Sequence, residues 1–298
     1  MRFLVIGSTG YLGNAITHIF ARAHEVYAGH FKSECHIAGV TPLQFDIAKP
    51  AEITTAFDRA RPDAIVHCAA LPKADYCEQH PDEAKSINAD ATAVIARECN
   101  RRGLRLIHIS TDLVFDGTKG NYTEEDPVNG ISVYARSKIQ AEAAVQSESP
   151  ESVILRVGVL YGPGNSLHPG FLDETMSRWR KLESMTFFTD QFRTPTFTPQ
   201  VAEAVERFAQ HPRISGIFHL GSAERLSRYD FAVLLARTVG ADQNLLKRGS
   251  MLQHTGPAKR GSDCSLVSQK IRRVLGLEPR SCSDGLLQLL REGFLQRL

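Results

Sequence analysis

The stretch MRFLVIGSTGYLGNAITHIF (residues 1–20) decides the fold. RFLVIG is an unbroken apolar run, which predicts a strand buried on both faces. GSTGYLG (7–13) follows, and YLGNAITHIFAR (11–22) carries apolar residues at helical spacing. Strand, glycine turn and helix together open a unit that binds dinucleotides. Gly7 permits the tight turn, Gly10 lets the backbone approach a pyrophosphate at the helix N-terminus, and Gly13 lets the helix lie close on the sheet. The spacing is GxxGxxG, not the commoner GxGxxG, so the structural context carries the reading more than the glycines alone. Thr9, Tyr11 and Leu12, between those glycines, are assigned to the cofactor with them.

Outward from this unit the first half keeps one rhythm. EVYAGH (25–30), DAIVHCAA (63–70), LRLIHIS (104–110) and SVILRVGVLYG (152–162) read as strands. AEITTAFDRARP (51–62), residues 81–103 and residues 132–147 read as helices between them. That alternation predicts an α/β fold, a Rossmann-type doubly wound parallel sheet. The rhythm breaks after Tyr161, where GPGNSLHPG (162–170) is turn-rich. The expected division is a nucleotide-binding core over 1–160, to which 189–220 returns. A smaller, mostly C-terminal substrate-binding domain takes 161–188 and 221–298.

The end of the second strand bears on the choice of coenzyme. An NAD site usually places a carboxylate there for the ribose 2′-hydroxyl. This chain has Gly29-His30-Phe31-Lys32, so Lys32, with His30, is expected to meet a 2′-phosphate. NADPH is favoured and NADH is the alternative. Asp46, in LQFDIAKP, reads equally as an N-cap of the next helix and as a contact to the adenine edge.

VYARSK (133–138) places Tyr134 and Lys138 four residues apart, on one helical face. A free phenol has a pKa near ~10 and exchanges protons poorly at neutral pH. A neighbouring ammonium lowers that value. In a reductase such a tyrosine donates a proton to a carbonyl oxygen as hydride reaches the carbon, while the lysine holds the nicotinamide ribose. A third group should orient the carbonyl. The strand LRLIHIS runs into Ser110-Thr111-Asp112, which puts a hydroxyl at the C-terminal edge of a parallel strand, where such sheets bind ligands.

Composition narrows the classes of function. The 298 residues are 42% hydrophobic and 23% charged, with a formal net charge of +2. That balance gives no sign of nucleic acid or a membrane as partner. The six cysteines contain no CxxC pair, so reduced thiols and a cytoplasmic location are expected. No His, Cys or Asp spacing suggests zinc. His67 and His108 fall on core strands and are expected to be packed or hydrogen-bonded there. Trp179 is expected to pack.

Taken together, GSTGYLG, DAIVHCAA, STDLVFDG, the acidic YTEED before VYARSK, and LRVGVLYG resemble the extended short-chain dehydrogenase/reductases. STDLVFDG and TDQFRTPTF (189–197) resemble the dTDP-4-dehydrorhamnose reductase family within them, which also includes the regulatory β-subunit of methionine adenosyltransferase. The resemblance runs from residue 2 to about 275. It implies NAD(P)H and reduction of the 4-keto group of a nucleotide-linked deoxysugar. It also implies a triad of Thr111, Tyr134 and Lys138, with Ser110 as the neighbouring candidate. Asn88, in KSINADAT, matches the asparagine that the superfamily places behind the lysine. Ala69 and Ala70 match positions whose backbone lines the cofactor.

Departures from the family pattern set further expectations. Arg193 stands where the substrate loop usually has glycine, and is expected at a diphosphate or at the sugar. GPAKRGSD (256–263) resembles a substrate-side loop, with Gly256 replacing the family's arginine; its Lys259 and Arg260 are expected to attract a diphosphate. No metal is expected. The oligomeric state is open, with a homodimer among the options. Three rival readings remain. A dehydratase would carry Asp-Glu after the threonine, but this chain has Asp112-Leu113. An epimerase would hold NAD tightly. A regulatory subunit would bind NADP without turnover.

Overall fold

A computed structural model describes the whole chain except Gly164, Ser166 and Arg297. Seven strands form one parallel sheet: β1 (Arg2–Ile6), β2 (Glu25–His30), β3 (Thr41–Gln44), β4 (Ala64–His67), β5 (Arg105–Thr111), β6 (Val153–Val157) and β7 (Gly216–Leu220). Their order is β3-β2-β1-β4-β5-β6-β7. β4, β5 and β6 are buried along their whole length. The two faces of the sheet are therefore both apolar, and the strands read as runs without alternation. One core cluster, including Phe3, Val5, Ile107 and Leu155, fills the face toward the helices Tyr11–Phe20 and Thr198–Gln210. A second, with Leu4, Ile65, Ile95 and Ile154, fills the other face.

The chain leaves β1 for β2 on one side and later reaches β4 on the other, so the strand order reverses beside β1. A crevice opens at such a switch point, outside the carboxyl ends of the strands. The glycine turn sits at its rim. Gly7 has φ +87°, a left-handed conformation that glycine adopts without cost. The backbone N–H groups of Gly7 and Ser8 both donate to Gly29 O at 2.9 Å, which fixes the turn against β2.

The helix read over residues 81–103 is interrupted. Pro81–Lys85 is a short helix, Ser86–Asp90 is one turn of π-helix, and Ala91–Arg102 continues to Gly103 at φ 65°. The π turn holds Asn88, and such turns often mark functional positions. The strand read over residues 152–162 is also shorter. β6 ends at Val157, and Leu160–Tyr161 pairs separately with Thr196–Phe197.

Outside the sheet, a third cluster gathers Trp179, Phe231, Leu235 and Leu286, from the helices Phe171–Arg180, Arg228–Val239 and Cys282–Arg291. The strand Met185–Phe188 pairs with Leu246–Gly249, which the sequence reading missed. β7 returns to the sheet beside β6. The helix Gln269–Leu275 returns as well: Ile271 and Leu277, expected in the smaller domain, belong to the core of the sheet.

Candidate active site

A cavity of about 1220 Å³ runs along the carboxyl edge of the sheet. At one end lie Gly7, Thr9, Gly10, Tyr11, Leu12 and Gly13; at the strand ends lie His30, Lys32, Asp46, Ala69 and Ala70. Ser110, Thr111, Tyr134 and Lys138 line it, as do Arg193 and Arg260. Of the residues assigned from sequence to the triad, the coenzyme or the substrate, Asn88 alone is not part of its wall. Asn88 is buried and fully engaged. Its Oδ1 accepts from Leu71 N at 2.7 Å, and its Nδ2 donates to Leu71 O at 3.2 Å and to Ser137 Oγ at 2.9 Å. It fastens the loop after β4 to the helix Val133–Glu148 and reaches the cavity only through Leu71.

The glycine end fits a dinucleotide. Gly10 caps the helix Tyr11–Phe20 with no side-chain hydrogen bond, which leaves first-turn N–H groups for an anion. A Cβ on Gly7 would meet Ala69 N at 2.7 Å, and one on Gly13 would collide with Gly7 O. On Gly10 it would touch only Gly7 O, at 3.3 Å. Two glycines therefore hold the turn close to its neighbours, and the third leaves room over it. Tyr11 donates its hydroxyl to Gly162 O at 3.0 Å and Asn165 Nδ2 donates to Thr9 O at 3.2 Å, so the chain crosses beside the turn as it leaves the core.

Asp46 is not an N-cap. The helix begins at Pro50 after Lys49, and Asp46 Oδ1 instead accepts from Ala48 N at 2.9 Å, closing a local turn. Lys32 Nζ lies 5.7 Å from the Phe31 ring centroid. His30 is buried, with Nδ1 unpartnered.

At the other end the hydroxyls separate. Ser110 donates to Glu142, whose carboxylate is forked by Arg156 at 2.7–3.2 Å in a buried network. Thr111 Oγ1 donates to Asp112 Oδ1 at 3.1 Å and accepts from Leu113 N at 3.2 Å. Tyr134 is buried. Its phenol is pushed well above its usual value, first by burial, then by the negative charge of Asp112 and by Cys77; the Thr111 side chain pulls weakly the other way. The lowering by Lys138 expected from the sequence is not found. The ammonium donates to Ile109 O at 2.8 Å and to His108 Nε2 at 3.0 Å.

Burial brings Lys138 down to about 8, against the opposing pull of Glu142 and Cys68. His108 is held far below its normal range by burial and by that ammonium. It is therefore neutral, with Nε2 as the acceptor and the proton on Nδ1. His67, at the paired position on β4, is likewise held down to about 3, and bonds to Thr92 Oγ1 at 3.0 Å. The sequence reading had both histidines in the core; it missed that one of them holds Lys138. Trp179 is 3% exposed and belongs to the third cluster.

Arg193 Nε stands 3.4 Å from Asp112 Oδ2, and both side chains are buried. Arg260 pairs with Asp75 at 3.1 Å, and Ala258 N also donates to Asp75, at 3.1 Å. Burial raises the Asp112 carboxyl although Arg193 opposes the shift. Arg228 lines the cavity too, and nothing in its local sequence marked it. Among the described residues no group of three or more His, Cys, Asp or Glu side chains is arranged to hold a metal ion.

Comparison with known proteins follows the same lines. A probable low-salt glycan biosynthesis reductase of Haloferax volcanii is 30% identical over 292 residues, covering 97% of each chain. The β-subunit of methionine adenosyltransferase 2 from Bos taurus is 32% identical over 244 residues, 79% of this chain and 71% of that one. The crystal structure of a dTDP-4-dehydrorhamnose reductase from Clostridium acetobutylicum superposes with a TM-score of 0.87 at 28% identity, covering 99% of this chain and all of the other. The profile of the RmlD substrate binding domain matches residues 1–294, and the chain belongs to that family.

Proposed function

We propose that the protein is an NADPH-dependent reductase of a nucleotide-linked 4-keto-6-deoxysugar. The observation that carries this reading is the convergence, in one cavity, of a glycine turn suited to pyrophosphate with Thr111, Tyr134 and Lys138. The reductase relatives and the likeness to a dTDP-4-dehydrorhamnose reductase support it. When bound, the dihydronicotinamide ring supplies the hydride.

The chain's own residues supply the rest. Gly7, Gly10 and Gly13 would hold the pyrophosphate, and Lys32 with His30 the 2′-phosphate. The raised phenol of Tyr134 stays protonated at neutral pH, as a proton donor must. The Thr111 hydroxyl beside it would orient the carbonyl by turning from the adjacent Asp112, to which it donates at 3.1 Å, whereas Ser110 is held in the buried Glu142–Arg156 network. Lys138 would hold the nicotinamide ribose.

The test is NADPH oxidation with a panel of 4-keto sugar nucleotides. Tyr134→Phe should lower the rate by roughly 10²–10⁴-fold, the usual worth of general acid catalysis, and leave NADPH affinity near wild type. Unchanged turnover removes Tyr134 from the chemistry. A second reading, an NADP-holding regulatory subunit, is favoured by the similarity to the adenosyltransferase β-subunit and by the direction of Lys138 toward His108. Tight NADP binding without turnover of any ketosugar would decide for it.

A further inference from the structure

Lys138 lines the cavity, and two histidines lie behind it, outside the wall. His67 and His108 are wholly buried, at paired positions on β4 and β5, with ring centroids 5.1 Å apart. Their protons can be assigned from the hydrogen bonds alone. An ammonium only donates, so His108 Nε2, 3.0 Å from Lys138 Nζ, accepts, and the His108 proton sits on Nδ1. Thr92 Oγ1 gives its one proton to Asn88 O at 2.7 Å. It therefore accepts from His67 Nε2 at 3.0 Å, which leaves His67 Nδ1 bare. Neither Nδ1 has a hydrogen-bond partner among the described residues. One is an N–H and the other a lone pair, on neighbouring rings in a low-dielectric interior. That complementarity favours the tautomer of His108 that offers Nε2 to the lysine.

The ammonium has three N–H groups. One goes to His108 and one to Ile109 O at 2.8 Å. At a tetrahedral nitrogen, fixing two of them fixes the direction of the third, which stays uncommitted among the described residues. Asn88, expected behind the lysine, is not joined to it by a hydrogen bond: its side chain serves Leu71 and Ser137, and its carbonyl serves Thr92. His108 takes that place.

We propose that His108 is a positioning residue, whose Nε2 lone pair, together with Ile109 O, fixes the Lys138 ammonium so that its remaining N–H is aimed at the nicotinamide ribose. This rests on the reading of the cavity as a coenzyme site in which Lys138 holds that ribose. The contact with His108 then aims the lysine and does not withdraw it.

The experiment is a double-mutant cycle read on NADPH binding by fluorescence titration, with no sugar substrate present and with the thermal melting of each protein as a control. His108→Leu should weaken NADPH about tenfold, the worth of one hydrogen bond to a charged group, and Lys138→Met by about as much or more. In the Lys138→Met background His108→Leu should cost nothing beyond about twofold, because the group it positions is gone. His108→Gln places an acceptor near the position of Nε2 and should stay within about threefold of wild type. If the leucine variant does not fold, His108→Asn, whose amide is too short to reach Nζ, takes its place in the cycle. Additive losses in the double variant would show a general structural effect and overturn the proposal. So would a glutamine variant as weak as the leucine one, or NADPH affinity unchanged by His108→Leu or by Lys138→Met. Absence of ketosugar turnover in wild type would sink the reductase reading and leave the cycle intact, since the cycle needs only binding.

Discussion

Lys138 shows how much depends on a single atom. Its ammonium is buried against His108 and Ile109 O, and its pKa is down to about 8 from 10.5. In the unfolded chain the same lysine holds its proton to near 10.5. Between those values the unfolded state binds more protons, so stability rises with pH there. Below about pH 8 the buried charge is a net cost. Lys138→Met removes that pH-dependent cost, so its stability relative to wild type should be greater at pH 7 than at pH 10.5 by on the order of 3 kcal/mol, the value of the shift in free energy, while turnover is lost. That advantage should shrink as pH climbs from 8 toward 10.5. Urea unfolding of both proteins at pH 7, 9 and 10.5 reads this directly, and a gain independent of pH would contradict the shift. Tyr134 and Lys138 were legible because helical spacing puts them on one face. The pairing of Lys138 with His108, thirty residues earlier, was not, nor was that of Arg193 with Asp112. Such contacts are made by the fold and leave no local pattern.

At the scale of the element, the turn after β1 was read almost completely from sequence. Strand, glycines and helix are contiguous, and the role of each glycine follows from what a Cβ would strike. The close approach of Gly13 to Gly7 O gives an expectation. Gly13→Ala should push the helix Tyr11–Phe20 away from the turn. NADPH affinity, measured by fluorescence titration, should fall by tenfold or more, with about 1–3 kcal/mol of stability lost to overpacking. The long helix over 81–103 was less legible. Its periodicity continues through the π turn, and only Asn88's three hydrogen bonds to Leu71 and Ser137 show why the extra residue is accommodated there. The two-residue ribbons, such as Phe192–Arg193 with Leu226–Ser227, are too short to leave any periodic signal.

For the molecule as a whole, a coenzyme that binds only the folded state should raise the melting temperature. NADPH at a hundred times its dissociation constant adds about 2.7 kcal/mol, which for a chain of this length corresponds to about 4 °C. Lys32→Ala should shrink that shift for NADPH and leave the shift for NADH as it was; equal losses for both would remove Lys32 from the 2′-phosphate. The parallel sheet and its crevice were legible because alternating strands and helices permit few topologies. The outer cluster around Trp179 and Phe231 was harder to read, since its three helices are separated by more than forty residues of chain. The placement of β7 carries one more consequence. It lies on the free flank of β6, yet the chain arrives there only after it has made the helices Phe171–Arg180 and Thr198–Gln210. During synthesis on the ribosome, β6 must wait with an uncovered margin until more than two hundred amino acids have emerged. A nascent chain arrested before Gly216 should therefore be captured by chaperones that recognise bare strands, and one arrested after β7 has cleared the exit tunnel should escape them.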